Sequence, residues 1–285
     1  MKHILNIQKW MHGTLSRKRT CEIHDHRKSI AVKRILTVLL LSTLLTLLYG
    51  CDSEDAIDCL QTDGDPITKT LELPFFDKVR TENDMRLEIT QGDTQSITIE
   101  TRENLFNDLV FKVEDDTFIM QNKNGCNLVR DFGRTLVRIT VPNLMVIKNS
   151  ATYEIRSNGT LAFPQVRLES VTTPGLESAN KTGDFFLDFQ SERIVVIANG
   201  MSDFHITGTT EEININFSDE FPTLFAEDLI AQDVIVRHVG AAPMIVNPQA
   251  SITGQIKATG DVIAKNQPPI VDVEELFTGR LIFEE

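Results

Sequence analysis

The sequence RIVVIANGMSDFHITG, residues 193–208, decides the fold class. It consists of a β-branched run, a small-residue break at Asn199-Gly200, and a second strand-like run. Branched Cβ atoms pack well on a pleated sheet and are penalised in helices, so both runs predict β-strands. Similar units recur through the second half of the chain, so this stretch predicts the architecture of that half.

Breaks of this kind recur at intervals of about 20 residues, with one longer interval before Asn199, a period typical of solenoids and arrays. They lie at 149–151, 173–175, 199–202, 218–220, 239–242, 259–261 and 278–280. Glycine and asparagine tolerate positive φ, so we expect them at corners where the chain turns at each level. No window of a dozen residues shows a sustained helical period with caps.

These features predict an all-β fold, specifically a right-handed parallel β-helix, or β-solenoid, with short irregular rungs that bury one continuous core. A β-sandwich is the alternative, because it also has short strands separated by regular turns. The solenoid is favoured because the breaks are small and periodic and are not Asn-Gly hairpin turns.

The first half of the body alternates between apolar and polar residues, which predicts strands with one buried face. A tight turn is expected at Asp115-Asp116, and one helical turn over Asn104–Leu109. The predicted strands are Met85–Thr90, Ile97–Glu100, Val110–Val113 and Phe118–Met120.

Charge is divided unevenly along the chain. Residues 1–50 carry nine Lys/Arg against two acids, whereas residues 51–285 carry 19 Lys/Arg against 39 Asp/Glu, a net charge of −20. An acidic body repels phosphates, so we expect no nucleic-acid partner. The composition, 41% hydrophobic and 24% charged, is that of a globular protein.

The basic leader ends at Lys33-Arg34 and is followed by the apolar run Ile35–Tyr49. A basic segment, a short apolar stretch and a small residue predict an export signal. The sequence Leu48–Cys51 resembles the lipobox of bacterial lipoproteins, in which the cysteine is lipidated, so Cys51 is the predicted lipidation site. A plain signal peptide, or an anchor helix with an incidental cysteine, is the alternative.

The predicted domains are a lipoprotein signal peptide with a long basic leader (1–50), an acidic tether (51–66) and a β-solenoid domain (67–285). Translation starts at Met1 or at Met11. The acidic run Asp52–Asp55 cannot bury itself and is expected to stay solvated. The N-terminal lipid makes a membrane the expected partner, at the outer membrane or cell surface of a Gram-negative bacterium.

Three stretches resemble the head GIN domain, a domain of unknown function described as a putative autotransporter adhesin in bacterial lipoproteins. They are the opening motif from Leu73 to Met120, the strand Val137–Leu144, and the C-terminal sequence from Gly260 to Phe283. The resemblance covers about residues 67–283. It implies a β-helical fold of stacked strands and no catalytic residues. The corner at Thr259-Gly260-Asp261 is similar to the glycine-rich corners of that family.

Two cysteines, Cys59 and Cys126, remain in the body of the chain after the leader and the lipidation site. In an exported protein such a pair predicts a disulfide. It would tie the start of the body to the loop that contains Cys126. Two separate buried thiols are the alternative.

The sequence contains no pattern typical of a catalytic site, so we expect no catalytic residues, no metal site and no cofactor. His205 and His238 are expected to face outward from strands, and no histidine–cysteine cluster has metal-ligand spacing. Acidic pairs are expected to form solvated turns, at Asp63/Asp65, Asp115-Asp116, Asp219-Glu220 and Glu274-Glu275.

Aromatic composition argues against sugar binding. The single tryptophan, Trp10, lies in the leader, and after Cys51 one tyrosine, Tyr153, remains. Carbohydrate-binding faces commonly stack sugars on these residues. Most of the 16 phenylalanines are expected in the core.

The sequence therefore favours a non-enzymatic surface or envelope lipoprotein with an adhesive or scaffolding face and a protein or glycan partner. One alternative is a polysaccharide-acting β-helix enzyme, which needs carboxylates grouped with cations such as Arg167, Arg193, Lys257 and Arg280. The other is a structural component that faces the periplasm.

Overall fold

The computed structural model of the chain describes residues 33–42, 58–128, 130–173, 176 and 180–284. The chain divides into two compact units, residues 1–52 and residues 53–285. Residues 33–42 of the first unit form an exposed α-helix. No helix among the described residues has the length and apolar character needed to cross a membrane.

The described part of the second unit contains strands and two short 3-10 helices, Asp58–Leu60 and Glu103–Asp108. The strands are β1 (Pro66–Leu71), β2 (Lys78–Asn83), β3 (Arg86–Gln91), β4 (Ser96–Arg102), β5 (Leu109–Glu114), β6 (Thr117–Asn122), β7 (Leu136–Val141), β8 (Val146–Ala151), β9 (Ile155–Ser157), β10 (Gln165–Ser170), β11 (Phe185–Ala198), β12 (Asp203–Phe217), β13 (Thr223–Phe225), β14 (Leu229–His238), β15 (Met244–Val246), β16 (Pro248–Ile256), β17 (Val262–Ala264), β18 (Ile270–Glu275) and β19 (Leu281–Phe283).

The strands pair in two ladders. The first ladder runs β1, β4, β7, β3, β9, β11, β12, β13, β15, β17, β19. The second ladder runs β5, β6, β2, β8, β10, β11, β12, β14, β16, β18. The long strands β11 and β12 belong to both ladders, because their first halves pair in one and their second halves in the other.

Most pairs are parallel, and the antiparallel ones are confined to the N-terminal end. There β1 and β4 extend the first ladder, and β5 extends the second ladder through β6. At the other end, β18 pairs with β16 and β19 pairs with β17. The predominance of parallel pairs does not fit the antiparallel β-sandwich.

The order of the strands in space departs from their order in the chain at one place. Strands β6 and β7 pair outside β2 and β3, and the chain then returns so that β8 and β9 pair on their other side. From β10 onward each new strand adds to the previous one in sequence order. The N-terminal part is therefore assembled from non-consecutive segments.

Alternate residues of both ladders point into one continuous apolar core. In β11 the buried residues Phe185, Leu187 and Phe189 alternate with half-buried ones. The ring of Phe185 stacks on that of Phe204 in the next strand, with centroids 4.5 Å apart. Burial of large apolar side chains contributes about 1.5–3 kcal/mol each.

Corner glycines serve a different purpose from the one expected. Gly200, Gly260 and Gly279 do not have positive φ. A Cβ atom at Gly260 would lie 2.3 Å from the carbonyl oxygen of Ala242 in the preceding corner. A Cβ atom at Gly279 would lie 2.3 Å from the carbonyl oxygen of Gly260. These corners need glycine because successive backbones approach too closely for a side chain.

The break predicted at 149–151 is wrong, because these residues belong to β8. The buried side chain of Asn149 is satisfied inside the sheet: it accepts a hydrogen bond from Thr81 and donates one to the carbonyl of Tyr153. A polar residue can therefore occupy a strand here without a solvent-exposed turn. The breaks at 199–202, 218–220, 239–242, 259–261 and 278–280 all lie between strands, as predicted. Two residues of the break at 173–175 lie outside the described residues.

Other local predictions in the first half are confirmed. Strands β5 and β6 form an antiparallel pair around Asp115 and Asp116, which have φ of 48° and 58°. The helical turn expected near Asn104 is the 3-10 helix Glu103–Asp108. The all-β class is also confirmed, whereas the closed right-handed solenoid stays a prediction.

Candidate interaction surface

A single line of outward-facing side chains runs along the first ladder and forms the candidate functional site. Its members occupy matching register positions on successive strands, which places them side by side about 4.8 Å apart. We call this line the outer column; it comprises Arg138, Glu88, Arg156, Phe186, His205, Phe225, Ile245, Ile263 and Ile282. Its side chains change along the ladder from charged, to aromatic, to aliphatic.

The charged third of the outer column is a group of ion pairs. The pairs are Arg138–Glu88 (2.9 Å), Arg138–Glu100 (3.2 Å), Arg156–Glu154 (3.4 Å) and Arg86–Glu154. Partial burial acts to raise the pKa of Glu154, but hydrogen bonds from Arg86 and Arg156 outweigh it, so the pKa is lowered. Each of the three glutamates therefore has an arginine as its ion-pair partner.

The aromatic third is a continuous stack of side chains. The guanidinium group of Arg156 lies 4.0 Å from the ring centroid of Phe186. The rings of Phe186 and His205 are 4.5 Å apart and inclined by 4°, and those of His205 and Phe225 are 4.6 Å apart and inclined by 10°. Their broad faces are covered by one another, so the stack presents ring edges to solvent.

Carboxylates flank the aromatic stack on both sides. Two residues before Phe186 and His205 stand Asp184 and Asp203, and the backbone N–H of Asp203 donates to the Asp184 carboxylate at 2.9 Å. Partial burial, followed by the charge of Asp203, raises the pKa of Asp184. On the other side Asp188 accepts hydrogen bonds from Thr207 and Thr160. The stack therefore lies between two acidic margins.

The aliphatic third continues the column to the C-terminal end of the ladder. Ile245 and Ile263 are partly exposed, and Ile282 is 44% exposed. Each is flanked within its strand by residues that point into the core, among them the buried Met244 and Val262. Contiguous exposed apolar surface bordered by polar residues is typical of interaction sites.

Of the three cysteines with a predicted role, the structure describes two. Cys51 lies outside the described residues. The structure joins Cys59 and Cys126 in a disulfide across 67 positions of sequence. The bridge ties the segment before β1 to the loop after β6, at the end of the molecule where the strands are not consecutive.

The two histidines have different environments. His205 faces outward, as predicted, within the aromatic stack. The outward orientation predicted for His238 is wrong, because it is fully buried at the end of β14. Its Nε2–H donates to the carbonyl of Ala242 at 2.9 Å, across the following corner. Burial lowers the pKa of His238.

Most of the 16 phenylalanines belong to the core, as predicted, because seven are fully buried and Phe106, Phe111 and Phe283 pack against the same core. Seven are buried, namely Phe76, Phe118, Phe163, Phe185, Phe189, Phe204 and Phe217. Four are more than half exposed, namely Phe75, Phe132, Phe221 and Phe277. The exposed ones lie in loops and corners between strands.

Charged residues considered for catalysis do not converge on one place. Arg167 and Arg193 line one cleft on the second ladder. Lys257 and Arg280 lie in two separate corners, and Arg280 pairs with Glu275 at 3.5 Å. No group of three or more potential metal ligands occurs among the described residues.

The aromatic stack carried a signal that the sequence analysis missed. When the breaks are aligned, one outward position near the start of each following strand holds His205, Phe225, Ile245, Ile263 or Ile282, which is the third residue of β12 and β13 and the second residue of β15, β17 and β19. All but His205 are large and apolar at a position where strand alternation predicts an outward, polar side chain. Aligning the repeats would have identified this half of the outer column.

Comparisons with known proteins place the chain in a family. The family model described as "putative auto-transporter adhesin, head GIN domain" matches residues 75–268. No curated protein matches the chain.

Several solved structures share its fold. One, named "putative adhesin" and from Bacteroides fragilis, has a TM-score of 0.67 at 17% identity, covering 77% of this chain and 97% of that chain. Another "putative adhesin", from Parabacteroides merdae, has a TM-score of 0.52 at 14% identity, covering 79% and 100%. A third, from Parabacteroides distasonis, has a TM-score of 0.54 at 12% identity, covering 78% and 98%. These likenesses show the fold, and the family match establishes that the chain belongs to the head GIN domain family.

Proposed function

We propose that the protein is a lipid-anchored component of the outer membrane or cell surface of a Gram-negative bacterium. Its β-solenoid acts as a non-enzymatic adhesive or scaffolding element and binds a partner through the outer column. The observation that carries this proposal is the continuous aromatic and aliphatic surface from Phe186 to Ile282, on strands whose alternation would otherwise place polar residues outward. Membership of a family described as putative adhesins supports the same function.

The stack favours a protein partner over a glycan. Sugars are commonly bound on open faces of aromatic rings. In this stack the faces of His205 are covered on both sides, by Phe186 and by Phe225. Ring edges and the isoleucines beyond them are suited to packing against apolar side chains.

The flanking charges favour a partner that is basic as well as apolar. Asp184 and Asp203 stand on one side of the stack, and Asp188 on the other. A lysine or arginine can lay its aliphatic stem along the rings and direct its charge to these carboxylates. Such complementarity mainly fixes specificity and association rate.

A non-enzymatic function agrees with the state of the charged third of the column. Glu88 and the neighbouring Glu100 and Glu154 are each paired with an arginine, whereas a glycosidase needs two carboxylates facing each other across a bound sugar. The paired charges there are suited to keeping the strands in register and the surface solvated.

The anchor rests on the sequence. Lipidation at Cys51, followed by the acidic run Asp52–Asp55, would hold the solenoid near a membrane without burying its faces. More than one acyl chain is needed for stable attachment, because a single chain binds only marginally.

Protease shaving of intact cells tests the location. We expect the wild-type chain to be cleaved on whole cells, and Cys51→Ala to be released from the membrane fraction. A periplasmic marker that stays uncleaved is the control for an intact outer membrane. Protection of the chain until the outer membrane is opened would contradict a surface adhesin and indicate a periplasmic scaffold.

A further inference from the structure

A cleft on the second ladder combines an apolar floor with a cationic rim. It is lined by Lys78, Met145, Val146, Gln165, Val166, Arg167, Arg193 and Val195. The cleft belongs to strands β2, β8, β10 and β11 and contains no residue of the outer column. It is therefore a feature separate from the proposed adhesive face.

The side chains that line the cleft differ in charge from the rest of residues 51–285. Residues 51–285 contain about twice as many acids as bases, yet the lining has three cations and no carboxylate among the described residues. The three cations create a local positive potential on a protein of net negative charge, and this potential attracts an anion.

The cations are arranged by the register of the strands. Lys78 pairs with Val146, Val146 pairs with Arg167, and Arg167 pairs with Val195. Cation and valine alternate along this line, so Lys78 and Arg167 are about 10 Å apart at two strand spacings. Arg193 extends the rim one strand beyond Arg167.

The existing partners of these cations leave them able to bind a ligand. The Arg167 guanidinium lies 3.7 Å from Glu169, beyond hydrogen-bond length. The Nε of Arg193 is 2.9 Å from Glu212. The two terminal nitrogens of the Arg193 guanidinium still have N–H groups that can donate to a ligand. Lys78 donates to the backbone oxygen of Asp115 at 3.2 Å and lies 3.8 Å from Asp77.

The floor is the part that selects the class of ligand. Met145 is 46% exposed, and Val146 and Val195 are partly exposed beside it. A simple polyanion gains nothing from such a surface, whereas an amphiphile buries hydrocarbon on it. Arginine is suited to phosphate because its planar fork matches the geometry of the oxygens.

We propose that this cleft binds an amphiphilic phosphate of the phospholipid type. The phosphate contacts Arg167 and Arg193, with Lys78 at the far end of the rim, and the first part of the hydrocarbon chain lies on Met145, Val146 and Val195. The same phosphate chemistry is available in free inorganic phosphate, so the test must separate the two sources.

The experiment is calorimetric titration of the full chain carrying Cys51→Ala, which removes the proposed anchor and avoids detergent. The ligands are dihexanoyl phosphatidylglycerol below its micellar concentration, dihexanoyl phosphatidylcholine, and inorganic phosphate. We expect saturable binding of the anionic lipid, at least tenfold tighter than that of either comparison ligand.

Two variants and a control locate the site. Arg167→Ala with Arg193→Ala should weaken binding of the anionic lipid at least tenfold, and Val195→Thr should weaken it less while leaving phosphate unaffected. Arg237→Ala, an exposed outward cation of the same ladder outside the cleft, should change nothing. Thermal unfolding of each variant shows that a loss of binding is not a loss of fold.

Three outcomes would overturn the proposal. The first is no saturable binding of phosphatidylglycerol to the unsubstituted cleft. The second is equal binding of inorganic phosphate or of phosphatidylcholine, which would show that the floor or the rim contributes nothing. The third is unchanged affinity in the folded double variant.

Discussion

The N-terminal part of the second unit, residues 58–157, and the C-terminal part, residues 158–284, use the same ladders in different ways. The N-terminal part pairs non-consecutive strands, adds antiparallel strands at its end and contains the disulfide. The C-terminal part adds strands in chain order around closely stacked corners. The outer column is ion-paired in the first part and aromatic or aliphatic in the second.

The difference shows how stability and recognition are distributed. Pairing distant segments closes long loops, which carries an entropic cost that a disulfide offsets. Strands that are added in chain order need no such link, because each one pairs with a strand about one repeat earlier in the chain. Their outward positions are then available for binding surface.

The largest effect is expected from a substitution inside the C-terminal ladder, Gly254→Ala. Gly254 has a φ of 129°, and an added Cβ would lie 1.9 Å from the carbonyl oxygen of Val236. The overlap and the backbone strain together should destabilise the protein by about 5 kcal/mol. Chemical denaturation measures this loss.

Gly159→Ala is the matched control for that substitution. Gly159 also has positive φ, 89°, but no atom lies within 4 Å of the added Cβ. We expect a loss of about 1–2 kcal/mol from backbone strain alone. Equal losses in both variants would show that close backbone approach does not limit the C-terminal ladder.

The next effect concerns the N-terminal part. Replacing Cys59 and Cys126 by serine opens a covalent link across 67 positions and should cost about 4 kcal/mol in the chain-entropy model. Hydrogen exchange should show the loss in β1 to β7 and leave β14 to β19 protected. Uniform loss across both parts would contradict the division. Intact-mass measurement with and without reductant establishes the bridge itself.

A moderate effect on binding is expected from Phe225→Asp in the aromatic stack. A carboxylate there removes the ring that covers His205 and breaks the apolar surface. Adherence of cells to wells coated with a basic protein should fall about tenfold, a loss of 1.4 kcal/mol. Thr253→Asp, an outward residue of the second ladder, is the control for added charge. Equal losses in the two variants would refute the role of the outer column.

A smaller effect is expected from pH at His238, in the C-terminal part. Burial lowers its pKa, so the folded state keeps it neutral while the unfolded state binds a proton below pH 6.5. Stability should therefore fall as the pH drops from 6.5 towards the lowered pKa, by at most about 1.4 kcal/mol per pH unit.

His238→Gln isolates that contribution, since its amide can still donate to the Ala242 carbonyl and does not titrate. Unfolding free energies at pH 7.5 and 5.5 should show a smaller acid loss in the variant than in wild type. Identical losses would mean that His238 does not titrate differently in the two states.

The smallest effect is expected in the ion-paired third of the outer column. Arg138→Ala removes two partly exposed pairs, with Glu88 and with Glu100, and should cost less than about 1 kcal/mol. Adherence should be unchanged. A loss comparable to that of Phe225→Asp would move the binding surface to the N-terminal part.

The sequence predicts the strands of the C-terminal part better than the strand order of the N-terminal part. Strands in the C-terminal part were predictable because β-branched runs recur between breaks about 20 residues apart, as in Val234–Val236 and Val262–Ala264. The position of β6 and β7 outside β2 and β3 was not, because it depends on pairing between distant segments. No local pattern encodes such an order.

Side-chain environments were predicted less well than strands. His238 was expected to face outward from a strand and Asn149 to lie in a break, although both are buried and hydrogen-bonded to a nearby backbone carbonyl. The aromatic stack depends on the register of three strands. It becomes visible only when Phe186, His205 and Phe225 are aligned by repeat.

The measurement that tests the central claim most directly is labelling of Ile282→Cys on intact cells with a membrane-impermeant maleimide. Ile282 is 44% exposed on the outer column, and the buried Val262→Cys is the control. We expect Ile282→Cys to be labelled on intact cells and Val262→Cys to stay unlabelled. Labelling of Ile282→Cys only after the outer membrane is permeabilised would contradict a surface role for the outer column.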